Sequence, residues 1–159
     1  PFKSVDDLAA VWMGWAEMEI RHKKYDLALS VLKEAVAIPP AAKRGKLAEE
    51  GAPVQARLYK HTRLWSFYAD LQENLSPFEE TRQTYEKMFE LRIVTPQLVL
   101  NFGAFLEEHK HFEAAFQAYE RGVAAFKYPY VLQIWLVYLT KFVGRFGGAK
   151  LELKLKLKV

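Results

Sequence analysis

Four histidines, two adjacent carboxylate pairs and a run of cations are the side chains here whose types could do chemistry. His22, His61, His109 and His111 could ligate a metal or move a proton. His109 and His111 stand two apart, however, and on a helix end that spacing points the rings in different directions. With Glu107 and Glu108 beside them they read as a polar helix end meeting a turn, so no metal site is expected. Glu79-Glu80 and Glu49-Glu50 are neighbours in the chain, whereas acid–base catalysis needs carboxylates converging in a cleft; they read as a helix start and a loop. No Gly-rich phosphate loop, GxSxG or HExxH motif occurs. The chain has no cysteine, which excludes disulfides, thiolate ligands and a thiol nucleophile, and fits a reducing compartment. No catalytic residue, cofactor or small-molecule substrate is expected, and the sequence reads as that of a non-enzyme.

The cations are distributed unevenly. The net charge is +4, yet residues 64–140 carry 6 Lys+Arg against 10 Asp+Glu. The excess sits in 39–63, with 6 against 2, and in 141–159, with 6 against 1. Lys43, Arg44, Lys46, Arg57, Lys60 and Arg63 form a possible basic contact patch for RNA, provided they converge on one face. A nucleic-acid binder more often carries its basic stripe through the folded body, and this body is acidic.

The elements that must position these groups are helical throughout. Apolar residues recur at three- and four-residue steps in Tyr25, Leu29, Leu32 and Val36, in Leu58, Trp65, Tyr68 and Leu71, and in Phe112, Phe116, Tyr119 and Val123. Helices are predicted near 5–21, 24–37, 54–75, 77–91, 96–109, 111–126 and 129–145. Pro39-Pro40 stops one, while Ser76-Pro77 and Thr95-Pro96 read as a cap followed by proline at the first helical position. Tyr128-Pro129 also fits a helix start. The expected architecture is all-α, a solenoid of antiparallel helical hairpins.

A repeat underlies the pattern. Trp12-x-x-Trp15-Ala16 is matched by Trp65-x-x-Tyr68-Ala69, by Trp135-x-x-Tyr138-Leu139 and, in degenerate form, by Val99-x-x-Phe102-Gly103. Twenty residues beyond the first three anchors in chain order, Trp12, Trp65 and Val99, stand Leu32, Tyr85 and Tyr119. The unit is about 35 residues long. It gives one array over 1–159 with repeats near 5–38, 54–92, 94–127 and 129–159, an exposed, irregular loop insertion at 39–53 and an atypical tail at 150–159. Trp12, Trp15, Trp65, Tyr68, Trp135, Tyr138 and Phe102 are expected to build an aromatic core face. Ala16, Ala69 and Gly103 would let the paired helix approach, and the second-helix Tyr would close the hairpin, its hydroxyl reaching a polar partner. Glu86-Lys87 and Glu120-Arg121 either bridge repeats or face water. The tail LELKLKLKV alternates with a period of two, so no native-like second helix is expected there.

Trp-x-x-Tyr-Ala on one helix and Tyr-Glu-Arg on the next resembles the HAT repeat, or half-a-tetratricopeptide. The strings LWSFYADL (64–71), IVTPQ (93–97), NFGAFLEEH (101–109), FKYPY (126–130) and IWLVYLTKF (134–142) are similar to a HAT-repeat family of pre-mRNA splicing factors, the XPA-binding-protein-two type of the NineTeen complex. The HAT pattern favours Glu seven after the anchor. Glu19 keeps it, Gln72, Leu106 and Phe142 do not, and Glu73 and Glu107, one residue later, substitute in part. The resemblance implies a HAT/TPR-like superhelix and a nuclear scaffold whose partners are spliceosome and NineTeen-complex proteins, other HAT-repeat subunits among them, with a link to transcription-coupled repair. The remaining alternatives are a helical-repeat RNA-binding module and a tetratricopeptide-type peptide adaptor, the latter needing a concave clamp of Lys, Arg and Asn. Starting Pro1-Phe2-Lys3, the chain reads as a segment of a longer protein.

Overall fold

The computed structural model describes residues 3–41, 43, 44 and 53–147. Among these the fold is all-α, with no strand. The helices are α1 (Val5–Arg21), α2 (Tyr25–Ala35), α3 (Val54–Arg57), α4 (Thr62–Leu75), α5 (Phe78–Glu90), α6 (Pro96–Glu108), α7 (Phe112–Ala125) and α8 (Val131–Phe146), with a 3-10 turn at Leu58–Lys60. The chain divides into two compact units, Pro1–Ile93 and Val94–Val159, and the division falls between the second and third sequence repeats. The tail at 150–159, Lys46 and most of the 39–53 insertion lie outside the described residues.

In the first unit α1 packs on α2, α2 on α4 and α4 on α5. Ser4 caps α1, its hydroxyl accepting from the Asp6 amide, and Asp6 and Asp7 face the positive end of the helix dipole. Helix α2 ends at Ala35, ahead of the two prolines, and the Lys43 and Arg44 amides both donate to the Pro40 carbonyl. Helical turn geometry therefore begins directly after Pro40, where an irregular loop was expected. The core gathers Ala9, Ala16, Ala28, Leu32, Leu58, Leu64, Trp65, Ala69, Tyr85 and Met88.

The single helix expected over 54–75 is instead broken at His61, whose backbone is extended (φ −77°, ψ 107°). Two contacts compensate. The His61 imidazole meets the Asp6 carboxylate at 2.9 Å, and the Trp65 indole N–H donates to the Tyr59 carbonyl at 2.6 Å. The break thus exchanges a stretch of helix for ties to α1 and to the buried tryptophan. Two further boundaries differ. Ser76 is the extended C-cap of α4 and Pro77 the N-cap of α5, so the proline precedes the helix. Helix α8 starts at Val131, after turn residues 128–130. Thr95-Pro96 follows the expected pattern, with Thr95 Oγ1 accepting from the Leu98 amide and proline in the first turn.

In the second unit α6 packs on α7, and α8 on both. Gly103 faces Tyr119 while Val99 faces Gly122, so register falls on one helix as it rises on the other, the mark of an antiparallel hairpin. Phe116 lies at the centre of an aromatic cluster with ring centroids 5.5–6.5 Å from those of Tyr119, Tyr138, Phe142 and Phe146. These offset and edge-on geometries are the ones that ring quadrupoles favour.

Three connections turn through a left-handed residue that is not glycine: Lys23, Arg92 and Lys110, with φ of 57–64°. In each the following amide reaches back to close the helix end, Lys24 to Glu19, Ile93 to Met88 and His111 to Leu106. His22 and His109 reinforce two of these ends, their Nδ1–H donating to the Met18 and Phe105 carbonyls at 2.8 and 2.9 Å.

Trp65 is 4% exposed and carries both the core contact and the tie to Tyr59. Trp65→Ala should destabilise the chain by about 3–5 kcal/mol. A thermal melt followed by circular dichroism checks this; an unchanged melting temperature would contradict the placement of Trp65 in the core.

Candidate interaction surface

One side-chain device recurs at equivalent repeat positions. The Tyr85 hydroxyl donates to Glu73 at 2.5 Å and the Tyr119 hydroxyl to Glu107 at 3.4 Å, each across a hairpin and each spanning twelve residues. The first repeat has Leu32 and Ile20 at these positions, so an apolar pair stands where the others hold phenol and carboxylate. Burial raises the Tyr85, Tyr119 and Tyr138 hydroxyls well above the ordinary phenol range, and the carboxylates that accept from them raise them further. All three rings are buried.

The ties also link one hairpin to the next helix. Tyr138 on α8 donates to Glu120 on α7 at 2.6 Å, and the Lys141 ammonium on α8 meets Glu107 on α6 at 2.8 Å. Of the two readings of Glu120, the bridge between repeats is the one the structure contains. In the first unit Gln72, which replaces the expected Glu, is buried and accepts from the Thr84 hydroxyl across the α4–α5 hairpin.

The small residue beside the second aromatic has a steric cause in the third repeat. A Cβ at Gly103 would lie 2.2 Å from Tyr119 Cε1 and 2.6 Å from its hydroxyl oxygen, so the phenol occupies the space of the missing side chain. Ala16 and Ala69 are fully buried at the equivalent places.

The aromatic face is not uniformly internal. Phe102 and Tyr138 are buried, whereas Trp12 and Trp135 are half-buried. Trp15 is 46% exposed: its ring stacks on Trp12 at 5.6 Å and its indole N–H donates to Glu19 at 3.3 Å, which leaves it on the outside of α1. Val11 and Met18 are exposed one turn to either side, giving α1 an apolar stripe open to solvent. Leu132, Leu136 and Val143 form a second stripe on α8. Sequence reasoning assigned the α1 aromatics to the core and did not identify either stripe, because periodicity gives the apolar face of a helix but not which part of it a neighbour covers.

The expected basic patch converges in part. Arg44, Arg57 and Lys60 line one cavity of about 740 Å³ in the first unit, together with Ala41, Ala56, Tyr59, Glu90, Leu91 and Arg92. Lys43 and Arg63 are exposed but do not line it. Arg92 joins from a turn distant in sequence, which no local pattern could have signalled. His22, His61 and His109 serve the helix ends described above, and no group of three or more potential metal-ligating side chains occurs among the described residues. No helix among them is long and apolar enough to cross a membrane.

Residues 1–157 match the family described as the pre-mRNA-splicing factor Syf1/CRNKL1 C-terminal HAT repeat. The chain belongs to this HAT-repeat family. It is 52% identical over 151 residues to pre-mRNA-splicing factor SYF1 of Rattus norvegicus, covering 95% of this chain and 17% of that protein. The SYF1 of Homo sapiens gives the same identity and coverage, and pre-mRNA-splicing factor cwf3 of Schizosaccharomyces pombe is 45% identical over 96% of this chain and 19% of its own length. The chain thus spans under a fifth of the length of these HAT-repeat relatives. Membership places the fold in the helical-solenoid class and gives the tyrosine–carboxylate ties a structural reading: they hold HAT hairpins closed and, at Glu120 and Glu107, couple successive HAT helices.

Two outcomes follow. Gly103→Ala should cost about 1–3 kcal/mol by driving a Cβ into Tyr119. Part of that loss should return in Gly103→Ala/Tyr119→Leu, which recreates the Ala16 and Leu32 pairing of the first repeat; urea unfolding of both variants measures it. The raised phenols also make stability pH-dependent. Their contribution is complete below the ordinary tyrosine pKa of about 10 and is lost as pH rises toward the raised folded values. Alkaline unfolding followed by circular dichroism should be less steep in Tyr85→Phe/Tyr119→Phe/Tyr138→Phe; an identical profile would show that these phenols do not titrate with unfolding.

Proposed function

We propose that this chain is a scaffold segment that positions other proteins within a nuclear pre-mRNA splicing assembly, and that it is not an enzyme. The observation carrying this reading is the pair of solvent-open apolar stripes, Val11–Trp15–Met18 on α1 and Leu132–Leu136–Val143 on α8. Contiguous exposed apolar side chains suit contact with another protein surface, and neither nucleic-acid backbone nor a polar substrate gains from them. The family and the names of its relatives supply the splicing context. Other splicing-complex proteins, including other HAT-repeat subunits, are the partners this reading calls for, and the nucleus is its compartment. Nothing in the fold or the relatives' names bears on DNA repair.

Direct RNA recognition is the competing reading, favoured by the cations around the first-unit cavity. Two measurements separate them. Crosslinking mass spectrometry of the full-length protein in nuclear extract should return splicing proteins at Lys23, Lys60, Lys87 and Lys110. Titration of the isolated chain with single-stranded RNA should give weak binding that fades steeply with salt, since counterion release is its source. RNA binding that persists at physiological salt and is lost in Arg57→Glu/Lys60→Glu would replace scaffold by RNA recognition.

A further inference from the structure

Among the described residues, four cations and a single carboxylate, Glu90, line the cavity of the first unit. Some exposed cations pair with acids of the same chain: Arg21 with Glu17, Arg82 with Glu79 and Lys141 with Glu107. Arg44, Arg57, Lys60 and Arg92 have no carboxylate partner among the described residues. Glu90 lines the same cavity, but Lys87 on its own helix already engages it at 2.9 Å. Among the described residues that line it, the cavity therefore sets four cations against one carboxylate that is already engaged.

The backbones that carry these cations are held in place. Arg57 and Lys60 flank Leu58, which is 1% exposed, and Tyr59, whose carbonyl accepts from the Trp65 indole. Arg92 sits in a left-handed turn (φ 57°) closed by the Ile93-to-Met88 hydrogen bond, and the Thr62 hydroxyl ties the Ile93 carbonyl to α4 at 3.2 Å. Three of the four cations are thus presented by segments already ordered before any ligand arrives, which lowers the entropy cost of binding.

We propose that this cavity docks an acidic peptide segment of a partner protein, an inference that rests on the scaffold reading above. Guanidinium forks bind carboxylates bidentately, so three arginines and a lysine around one concavity match an extended segment with several Asp or Glu side chains. A channel for single-stranded RNA is built differently, with cations tracking a groove and open aromatic faces for stacking bases. Here the cations converge on one cavity, Arg63 and Lys43 stand off it, and the Lys60 ammonium lies 5.8 Å from the centroid of the ring of Tyr59, the cavity's aromatic lining residue.

The test is fluorescence anisotropy of the chain with a fluorescein-labelled Glu/Asp peptide, a Lys-rich peptide of equal length and an oligouridylate. The acidic peptide should bind and the Lys-rich one should not. Arg57→Glu/Lys60→Glu should weaken acidic-peptide binding by about a hundredfold. Arg63→Glu, an equal kind of charge change off the cavity, should change it by less than about twofold. Arg92→Asn removes one charge with a residue that tolerates left-handed backbone and should cost about fivefold; it decides the matter if circular dichroism shows the double reversal unfolded. Equal weakening by Arg63→Glu, or none by the cavity variants, overturns the proposal. Tighter binding of oligouridylate than of acidic peptide, lost on the same reversal, reassigns the cavity to RNA. Splicing-protein crosslinks retained in nuclear extract while acidic-peptide binding fails would remove only the cavity proposal; their absence from the unaltered protein would remove the scaffold reading itself.

Discussion

The fold depends on how closely two helices can approach at a single small residue. At Gly103 the backbone of α6 comes so near α7 that the Tyr119 phenol fills the place of a side chain. That approach buries the ring, and burial requires its hydroxyl to find an acceptor, because an unsatisfied phenol in the core is costly. Glu107 supplies it and, through Lys141, brings α8 into the same network. Close approach, aromatic burial and a carboxylate tie are therefore one constraint expressed three times. The first repeat meets it with apolar residues instead, Ala16, Leu32 and Ile20, where no hydroxyl is buried and no carboxylate is needed.

The same packing logic makes the candidate interaction surface. Each helix of a hairpin repeat has more apolar circumference than its partner covers, and what remains open faces neighbours or solvent. On α1 the open part is Val11, Trp15 and Met18; on α8 it is Leu132, Leu136 and Val143. The charged groups follow a different rule. Arg21, Arg82 and Lys87 pair along their own helices and Lys141 across to another, while Arg44, Arg57 and Lys60 gather with Arg92 around a concavity whose one described carboxylate, Glu90, is engaged by Lys87. Under the proposed scaffold reading, apolar stripes and a cation-lined cavity would give partners two chemically distinct kinds of contact.

Much of this was legible in the residues. The three- and four-residue periodicity located every long helix, and the fixed offsets from Trp12, Trp65 and Val99 gave the repeat and its second-helix tyrosines. Thr95-Pro96 marked a helix start because a hydroxyl cap and a proline satisfy purely local requirements. At His61 local rules misled because a distant contact intervened. His61 breaks a helically patterned stretch because Asp6, 55 residues away, and the Trp65 indole reward the extended conformation. Lys23, Arg92 and Lys110 occupy left-handed turns that normally select glycine or asparagine, so no residue type announced them.

What the sequence determined by itself was periodicity, repeat phase and the pairing of residue types within a hairpin, all of which follow from interactions between residues near in the chain. Only the tertiary structure decided which side of each apolar face is covered, because coverage depends on a second helix whose position no local pattern encodes. It therefore placed Trp15 outside while Tyr68 and Tyr138 went inside. It also decided which cations share a site: Arg92 joins Arg44, Arg57 and Lys60 while Lys43 and Arg63 do not, since convergence in space is set by the packing of α4 and α5 and not by proximity along the chain.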